Sequence, residues 1–461
     1  MGREEQVAAL SLMKELNERG FEAYLVGGCV RDMVMGLEPH DYDISTNAKP
    51  NQILEIFGGK QMGSVLKREG EEFGTVTVKR GNFQFEITTF RKEKGYSDGR
   101  HPDKVEWTNS LVEDLHRRDF TINAMAMNKE GNLIDPFNGK ADIMNRRIRA
   151  VSKVSFVEDK LRILRAIRFA ARFNFVIEDA TYRDMVKYAH QVMSTIAKER
   201  VNTELVKMFG YKYIAEALDN NKEVIGILFP FQRECMGFDQ HSRYHYLDVW
   251  NHMIEALKWY RTVDAKMDYR GAIAVFLHDI GKPNCYQVGA DGYWHYLGHE
   301  KVSAEMTEVI LKKLKFKGED IKLITALVAN HDFSCKPTRI AVRKLMKGKS
   351  NELIDLLLCI RYADIMGHRD TPLRKEQVDK WTVCIKLVTQ IRRDNDCLSL
   401  SQLAINGDML KKWGITDGKE IGIILNYTLD AVITERVNND VASIFNWKYM
   451  RKKLKLNQYN K

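Results

Sequence analysis

Along the first 140 or so residues the apolar positions keep two different periods. In EQVAALSLMKELNERG (5–20) they recur every three to four residues and stop at Gly20, which predicts an amphipathic helix. EAYLV (22–26) reads as a short strand running into Gly27-Gly28, DYDIST (41–46) as a second strand and NQILEIF (51–57) as a helix. TVTVKRGNFQFEITTF (75–90) alternates on both sides of Gly81-Asn82, the signature of a hairpin. From about residue 150 the alternation disappears, prolines become sparse and the pattern is almost wholly helical. The fold class expected is α+β: a small N-terminal mixed sheet with helices, followed by all-α segments. Divisions near 146, 225 and 375 give segments 1–146, 147–225, 226–375 and 376–461.

Composition changes this picture little. The 461 residues are 44% apolar and 29% charged, ordinary for a globular chain and ample for cores without disulfides or metals. Charge changes it more: a formal net charge of +10 favours a polyanionic partner, nucleic acid or an anionic membrane surface. The seven cysteines, at 29, 235, 285, 335, 359, 384 and 397, contain no C-x-x-C pair, which argues against a disulfide framework and fits a reducing compartment. MGREEQVAAL lacks an apolar signal core, and no apolar run reaches membrane-spanning length. The location expected is the cytoplasm, with no membrane association.

Candidate chemistry begins in GGCVRDMVMGLEPHDYDIST (27–46). No G-K-[ST] follows the glycines, so this is not a Walker A loop. Asp41 and Asp43 stand at i and i+2 in an expected strand, where side chains alternate, so both carboxylates face one way. Two like charges that close are costly unless a cation lies between them. Hard cations such as Mg²⁺ take carboxylate oxygens together with substrate phosphates, and paired metals suit in-line displacement at phosphorus. Glu86, on the expected hairpin, is the candidate third carboxylate. Gly27 and Gly28 let backbone N–H groups approach a triphosphate, and the next helix starts there with its positive end.

GG-x-V-R-D followed by D-x-D resembles the polymerase β-like nucleotidyltransferases. RRDFTINAMA (117–126) and EDKLRILRAIRFAARF (158–173), in that order, resemble the class II tRNA nucleotidyltransferases, the family of the CCA-adding enzymes and bacterial poly(A) polymerases. The resemblance spans about the first 210 residues. Under it, Asp41, Asp43 and Glu86 are the catalytic carboxylates, with Mg²⁺ on the two aspartates, and Arg31 joins Gly27 and Gly28 at the nucleotide. Arg118 and Asn123 would bind sugar and phosphates, assisted by Arg117. DPFNGKADI (135–143) would be the hinge between head and neck. KERVNTE (198–204), through Arg200 and Glu204, would brace the nucleotide helix.

On its own terms, the helix expected at 158–173 places Ile163, Leu164, Ile167, Ala170 and Ala171 on one face, and Arg162, Arg165, Arg168 and Arg172 across the other. Asp159 stands at the border, one turn from Arg162. A carboxylate accepts hydrogen bonds and a guanidinium donates them. Cytosine and adenine each present an amino donor beside a ring-nitrogen acceptor, so Asp159 can take the amino group while Arg162 addresses the ring nitrogen. Uracil and guanine present the opposite order and leave buried groups unpaired, a mismatch on the order of 10⁴ in selectivity. The resemblance implies this role for E-D-x-x-R, and Arg165 and Arg168 join the expected nucleotide contacts. FRKEKGYSDGRHPDKVEW (90–107) is polar and is expected to be a mobile loop. CCA-adding enzymes that switch from CTP to ATP carry a flexible segment in this place.

Residues 245–370 carry a second constellation: His252, His278-Asp279, His299, His331 and Asp364, each in or beside a helical segment. Imidazole suits transition metals, and carboxylates can bridge two ions. The adjacent His-Asp, with an earlier His and a late Asp, resembles the HD-domain metal-dependent phosphohydrolases. That resemblance implies a divalent transition metal and a phosphate-ester substrate, such as a 2′,3′-cyclic phosphate end on RNA. A C-terminal HD domain is an arrangement of bacterial CCA-adding enzymes and not the usual one of poly(A) polymerases. WKYMRKKLKLNQYNK (447–461) is a basic helix and tail; Lys448 to Lys455, with Trp447 and Tyr449, fit a tRNA backbone.

The function expected is template-independent addition of C, C and A to tRNA 3′ ends, with release of pyrophosphate. Its partners are tRNA, CTP and ATP. The segments then become a nucleotidyltransferase head (1–146), a base-reading helical neck (147–225), an HD phosphohydrolase-like domain (226–375) and a tRNA-binding helical tail (376–461). Three alternatives stay open: a poly(A) polymerase or A-only enzyme on this scaffold, an HD phosphohydrolase whose head only binds RNA, and a non-catalytic RNA-binding module. The sequence sets no oligomeric state.

Overall fold

The computed structural model describes residues 2–58, 65–67, 74–94, 104–264, 266–333 and 336–454. They fall into two compact units, Met1–Glu234 with Leu311–Phe316, and Cys235–Ile310 with Lys317–Lys461.

In the first unit, α1 (Gly2–Glu18) buries Ala9, Leu12, Met13 and Leu16, the i, i+3, i+4, i+7 stripe its sequence predicts. Then follow β1 (Ala23–Val26), α2 (Gly28–Val34), β2 (Asp43–Thr46), α3 (Pro50–Phe57), β3 (Val65–Lys67), β4 (Thr75–Arg80) and β5 (Phe83–Thr89). Pro50 opens α3, where a missing N–H costs nothing. The sheet runs β3-β4-β5-β2-β1-β8-β9, with β8 (Ala126–Met127) and β9 (Leu133–Ile134) at its far edge. Only the β2–β5 pairing is parallel, so the sheet is mixed as expected. Leu25, Ile44, Val76, Val78, Phe85 and Ile87 are buried along alternate positions and make one core face.

The expected loop at 90–107 is corrected at both ends: β6 (Arg91–Lys94) pairs antiparallel with β7 (Lys104–Trp107). Charged residues at nearly every position of these arms hide the strand from hydrophobic periodicity. The tip, 95–103, lies outside the described residues. Strand pairing also continues past 146, against expectation, in two-residue pairs: β10 (Arg147–Ile148) with β11 (Val176–Ile177), and later β12 (Gln287–Val288) with β13 (Trp294–His295).

Helices α4 (Leu111–His116) and α5 (Gly139–Met144) complete the sheet region. The helical part comprises α6 (Ser155–Glu158), α7 (Leu161–Phe173), α8 (Asp179–Thr195), α9 (Lys198–Phe209), α10 (Ile214–Asn220), α11 (Lys222–Leu228) and α12 (Pro230–Cys235). The single helix expected at 158–173 is broken. Asp159 is extended (φ −134°), and its carboxylate accepts the N–H of Leu161 at 2.9 Å. A short acidic side chain competing for backbone donors ends one helix and starts the next.

The second unit is helical: α13 (Val249–Val263), α14 (Tyr269–Leu277), α15 (His299–Lys313), α16 (Gly318–Ala329), α17 (Arg339–Met346), α18 (Asn351–Met366), α19 (Pro372–Arg393), α20 (Gly407–Lys412), α21 (Gly418–Ile433), α22 (Val441–Asn446) and α23 (Lys448–Lys453). The division expected near 375 falls inside α19, whose Trp381, Cys384 and Val388 share a buried cluster with Val342, Ile354 and Leu358.

Candidate nucleotide site and metal centre

The glycine turn is built for close approach. Gly27 has φ +75°, and a Cβ there would stand 2.7 Å from Arg118 Nη1. Val26 lies opposite Asp43, and the register that sets Ile44 against Ile87 carries Asp43 beside Glu86 one step on. Asp41 precedes β2 instead of lying in it. Alternation still holds: Asp41 is exposed, Tyr42 buried and Asp43 half-buried, so both carboxylates are on the solvent side. Burial, then the charges of Asp41 and Glu86, push Asp43 up to about 6, while Arg118 pulls the other way. An all-oxygen set strained by its own like charges fits a hard divalent cation.

A hydrogen-bonded chain runs from this turn to α7. Arg31 donates to Asp32 (2.8 Å) and to Asn123 Oδ1 (2.6 Å), Asn123 donates to Asp119 (2.9 Å), and Arg165 donates twice to Asp119 (2.8 and 2.6 Å). Glu204 pairs with Arg168 at 2.7 Å, and Arg172 reaches back to Asp32 at 3.2 Å. Burial alone would raise Asp119, but Arg165 and the Asn123 amide outweigh it and hold it below the ordinary carboxylate range. The Phe169 ring lies under three guanidiniums, those of Arg31, Arg165 and Arg168, at 5.4, 5.6 and 4.5 Å. The arginine face of α7 is therefore paired, with Arg162 and Arg168 buried and Arg165 and Arg172 half-buried.

Asp159 and Arg162, the residues expected to read the base, are each held by other protein groups. Arg162 donates to Ser155 Oγ (2.9 Å), Glu158 (3.1 Å) and the Arg117 carbonyl (2.7 Å), while Asp159 takes Arg200 at 3.0 Å. Both groups of the base-reading pair are engaged with protein partners. Arg117 and Arg118 lie on buried Asp114, at 3.0 and 3.6 Å. The expected hinge is a packed turn. Asp135 accepts the N–H groups of Gly139 and Lys140, and a Cβ at Gly139 would sit 2.2 Å from the Thr121 carbonyl oxygen.

The second unit gathers all six expected ligands. His252 is in α13, His278-Asp279 follows α14, His299 opens α15, His331 follows α16 and Asp364 is in α18. His278, His299 and His331 each hold a backbone carbonyl through Nδ1 at 2.7 Å. A carbonyl only accepts, so Nδ1 carries the proton and the Nε2 lone pairs point inward. Nε2 atoms face each other at 3.3 Å (His252–His278) and 3.2 Å (His299–His331), an arrangement that a shared proton or a cation between them would relieve. Asp279 turns Oδ2 to His278 (3.2 Å) and His252 (3.5 Å), and Oδ1 to His299 (3.3 Å) and His331 (3.7 Å). Asp364 Oδ1 lies 3.0 Å from His252.

Burial lowers His252 to about 4; at His278 burial is outweighed by Asp279 and Asp364, which raise it to about 10. Nitrogen and carboxylate donors in a dry site suit a transition metal. Among the described residues, the groups of three ligand atoms within 4.8 Å of one another all lie in this centre; Asp41, Asp43 and Glu86 do not converge so closely.

Sequence reading missed His245, His368, Lys282 and Arg361, which line the same cavity of about 780 Å³. The signals were present: His245 precedes His252 by two helical turns, His368 follows Asp364 by one, and Lys282 closes HDIGK. In the C-terminal helices, Tyr427, Trp447 and Tyr449 pack ring on ring and Lys453 pairs with Glu420, while Lys455 lies outside the described residues. No described helix is long and apolar enough to cross a membrane. No disulfide forms among the six described cysteines.

Family models match three stretches: the poly(A) polymerase head domain over 23–149, the probable RNA and SrmB-binding site of polymerase A over 174–224, and a putative tRNA nucleotidyltransferase domain 2 over 294–448. A CCA-adding enzyme of Lactobacillus delbrueckii is 46% identical over 202 residues, 43% of this chain and 49% of that protein. One of Streptococcus uberis is 41% identical over 263 residues, 54% of this chain and 63% of that protein. The chain thus spans about half the length of the first of these relatives. The crystal structure of the Bacillus stearothermophilus CCA-adding enzyme in complex with CTP aligns over 98% of both chains, with 25% identity and a TM-score of 0.71. The Thermotoga maritima CCA-adding enzyme complexed with tRNA shares the fold at 23% identity, over 97% of this chain and 94% of that one, with a TM-score of 0.61. By these matches the chain is similar to poly(A) polymerase head domains and CCA-adding enzymes over part of its length, and shares the CCA-adding enzyme fold over nearly all of it.

Proposed function

We propose that the chain adds C, C and A, without a template, to tRNA 3′ ends from CTP and ATP, releasing pyrophosphate. One observation carries the reading. The helix bearing the base-reading motif is joined through Arg165, Asp119, Asn123 and Arg31 to the glycine turn beside Asp43. A nucleotide whose base meets α7 would have its triphosphate at that turn. We assign 1–146 to a nucleotidyltransferase head, 147–225 to a neck, 226–375 to an HD-type domain and 376–461 to a tRNA-binding tail. The cytoplasm is the compartment where this substrate and a cysteine set without C-x-x-C pairs fit.

Asp41, Asp43 and Glu86 would hold Mg²⁺, which when bound supplies charge neutralisation for the triphosphate and activation of the 3′-hydroxyl. The backbone at Gly27 and Gly28 cradles phosphate, and Arg118 and Asn123 hold phosphate and sugar. Asp159 and Arg162 read the base after giving up Arg200 and Glu158, which makes base binding an exchange of partners. Incubation with tRNA ending at the discriminator base, CTP, ATP and Mg²⁺, followed by sequencing, tests this. Products ending in CCA are expected; A tracts would select the poly(A) polymerase reading, and no extension would remove both.

The convergent Nε2 atoms support a second reading. His252, His278, Asp279, His299, His331 and Asp364 would hold a divalent transition metal, in a site for phosphate-ester hydrolysis. Metal analysis of chain purified without chelators checks it: less than one equivalent per chain rules it out.

A further inference from the structure

We propose that Lys282, Arg361 and His245 form an oxyanion subsite beside the histidine-aspartate centre, built for the phosphoryl group of an ester. The inference rests on reading that centre as a metal site. Each ligand carboxylate has its own cation. Lys282 Nζ lies 2.6 Å from Asp279 Oδ2, and Arg361 Nη1 lies 2.8 Å from Asp364 Oδ2. Lys282 is only 4% exposed, a costly place for an ammonium without a purpose. Its other neighbours are Gln240 Oε1 at 2.8 Å and His245 Nε2 at 3.4 Å.

Hydrogen bonding at this wall is incomplete. An ammonium only donates, so His245 Nε2 accepts and its Nδ1 carries the proton. That Nδ1 is buried and has no partner. The Asp279 oxygens likewise lack a donor in hydrogen-bonding geometry, although Lys282 stands close. Lysine, arginine and an imidazole N–H lining one cavity are all donors, and what satisfies them together is an oxyanion.

Charge gives the order of events. Lys282 faces Asp279, and Arg361 is shared between Asp364 and the half-exposed Asp332, each at 2.8 Å. A divalent ion held by Asp279 and Asp364 would compete with these cations for the carboxylates and add positive charge that an anion would offset, leaving Lys282 and Arg361 to meet phosphate.

Calorimetry on the full chain with Mn²⁺ and inorganic phosphate tests this. Phosphate is expected to bind only after Mn²⁺. Lys282→Met and Arg361→Gln should each weaken phosphate by about tenfold or more, the worth of one charge-assisted hydrogen bond. Mn²⁺ affinity should stay the same or tighten in Lys282→Met, the opposite of what a merely structural lysine predicts. His245→Gln, which removes no charge, should weaken phosphate less. Full phosphate affinity in all three variants, or parallel loss of both affinities in Lys282→Met, overturns the subsite. Wild-type chain that binds Mn²⁺ but not phosphate overturns the subsite alone; chain that binds neither overturns the metal reading as well.

Discussion

The two sites hold their carboxylates in opposite ways. In the first unit Asp41 and Glu86 are exposed and Asp43 is half-buried, set along neighbouring strand ends with one arginine close by. In the second, Asp279 and Asp364 are 1% and 5% exposed and ringed by imidazoles whose outer nitrogens are anchored on backbone carbonyls. The open set lacks enough protein ligands and has room for phosphate oxygens to complete it. The closed set has its ligands in place before any substrate arrives. On the proposed reading, a site that admits a triphosphate and an RNA end cannot be finished in advance, whereas a site for a held ion can be.

The largest expected effect tests the open side. Asp43→Asn should lower CTP incorporation by on the order of 10³ or more while leaving the metal content of the second unit unchanged. Incorporation within tenfold of wild type would remove Asp43 from the chemistry. The converse follows for the closed side. His278→Asn should weaken Mn²⁺ binding in the second unit by about 100-fold, read by calorimetry, because it removes a ligand whose orientation is already fixed. Affinity within threefold would mean that the convergent nitrogens serve structure only.

The same contrast explains what the sequence could tell. The head motifs are short and local. Two aspartates at i and i+2 beside a glycine turn, and the apolar stripe of α7, follow from the periods of strand and helix. What escaped was pairing between elements. Arg165 meets Asp119 across 46 positions and Asp159 meets Arg200 across 41, and no periodicity reports such distances. Glu158, next to Asp159, was passed over although it takes Arg162. The ligands of the closed centre were legible by residue type and chain order, because few other groups bind transition metals. Lys282 and Arg361 were not, since a cation beside a ligand carboxylate reads as ordinary surface charge.

A moderate effect is expected at Asp119, which fastens the open site to α7. Asp119→Asn takes the main partner from half-buried Arg165, which keeps Glu204 at 3.9 Å, and should cost about 1–2 kcal/mol, measured by urea unfolding at pH 7. The sign with pH follows from the depressed acidity. A carboxylate held below its ordinary range stabilises the fold fully above the unfolded value of about 4, and that contribution fades as pH falls toward the folded value. The difference between wild type and variant should therefore shrink below about pH 4. A constant difference across that window would show that packing, not charge, is what Asp119 supplies.

The smallest effect is the most local. Gly27→Ala places a Cβ on a backbone at φ +75°, which costs an L-residue about 1 kcal/mol. The new atom would also meet Arg118 Nη1 at 2.7 Å. A guanidinium end is flexible, so Arg118 moves rather than the turn, and the fold survives. But Arg118 is the cation that opposes the upward push on Asp43. Moving it leaves Asp43 closer to neutral and the phosphate cradle without its arginine, so KM for CTP and ATP should rise severalfold in a chain that is only slightly less stable. Arg118→Lys, which keeps charge and clears the space, should restore part of the loss in the Gly27→Ala background. If the double variant is no better than Gly27→Ala alone, the glycine serves the backbone turn and not the arginine, and the open site is looser than its geometry suggests.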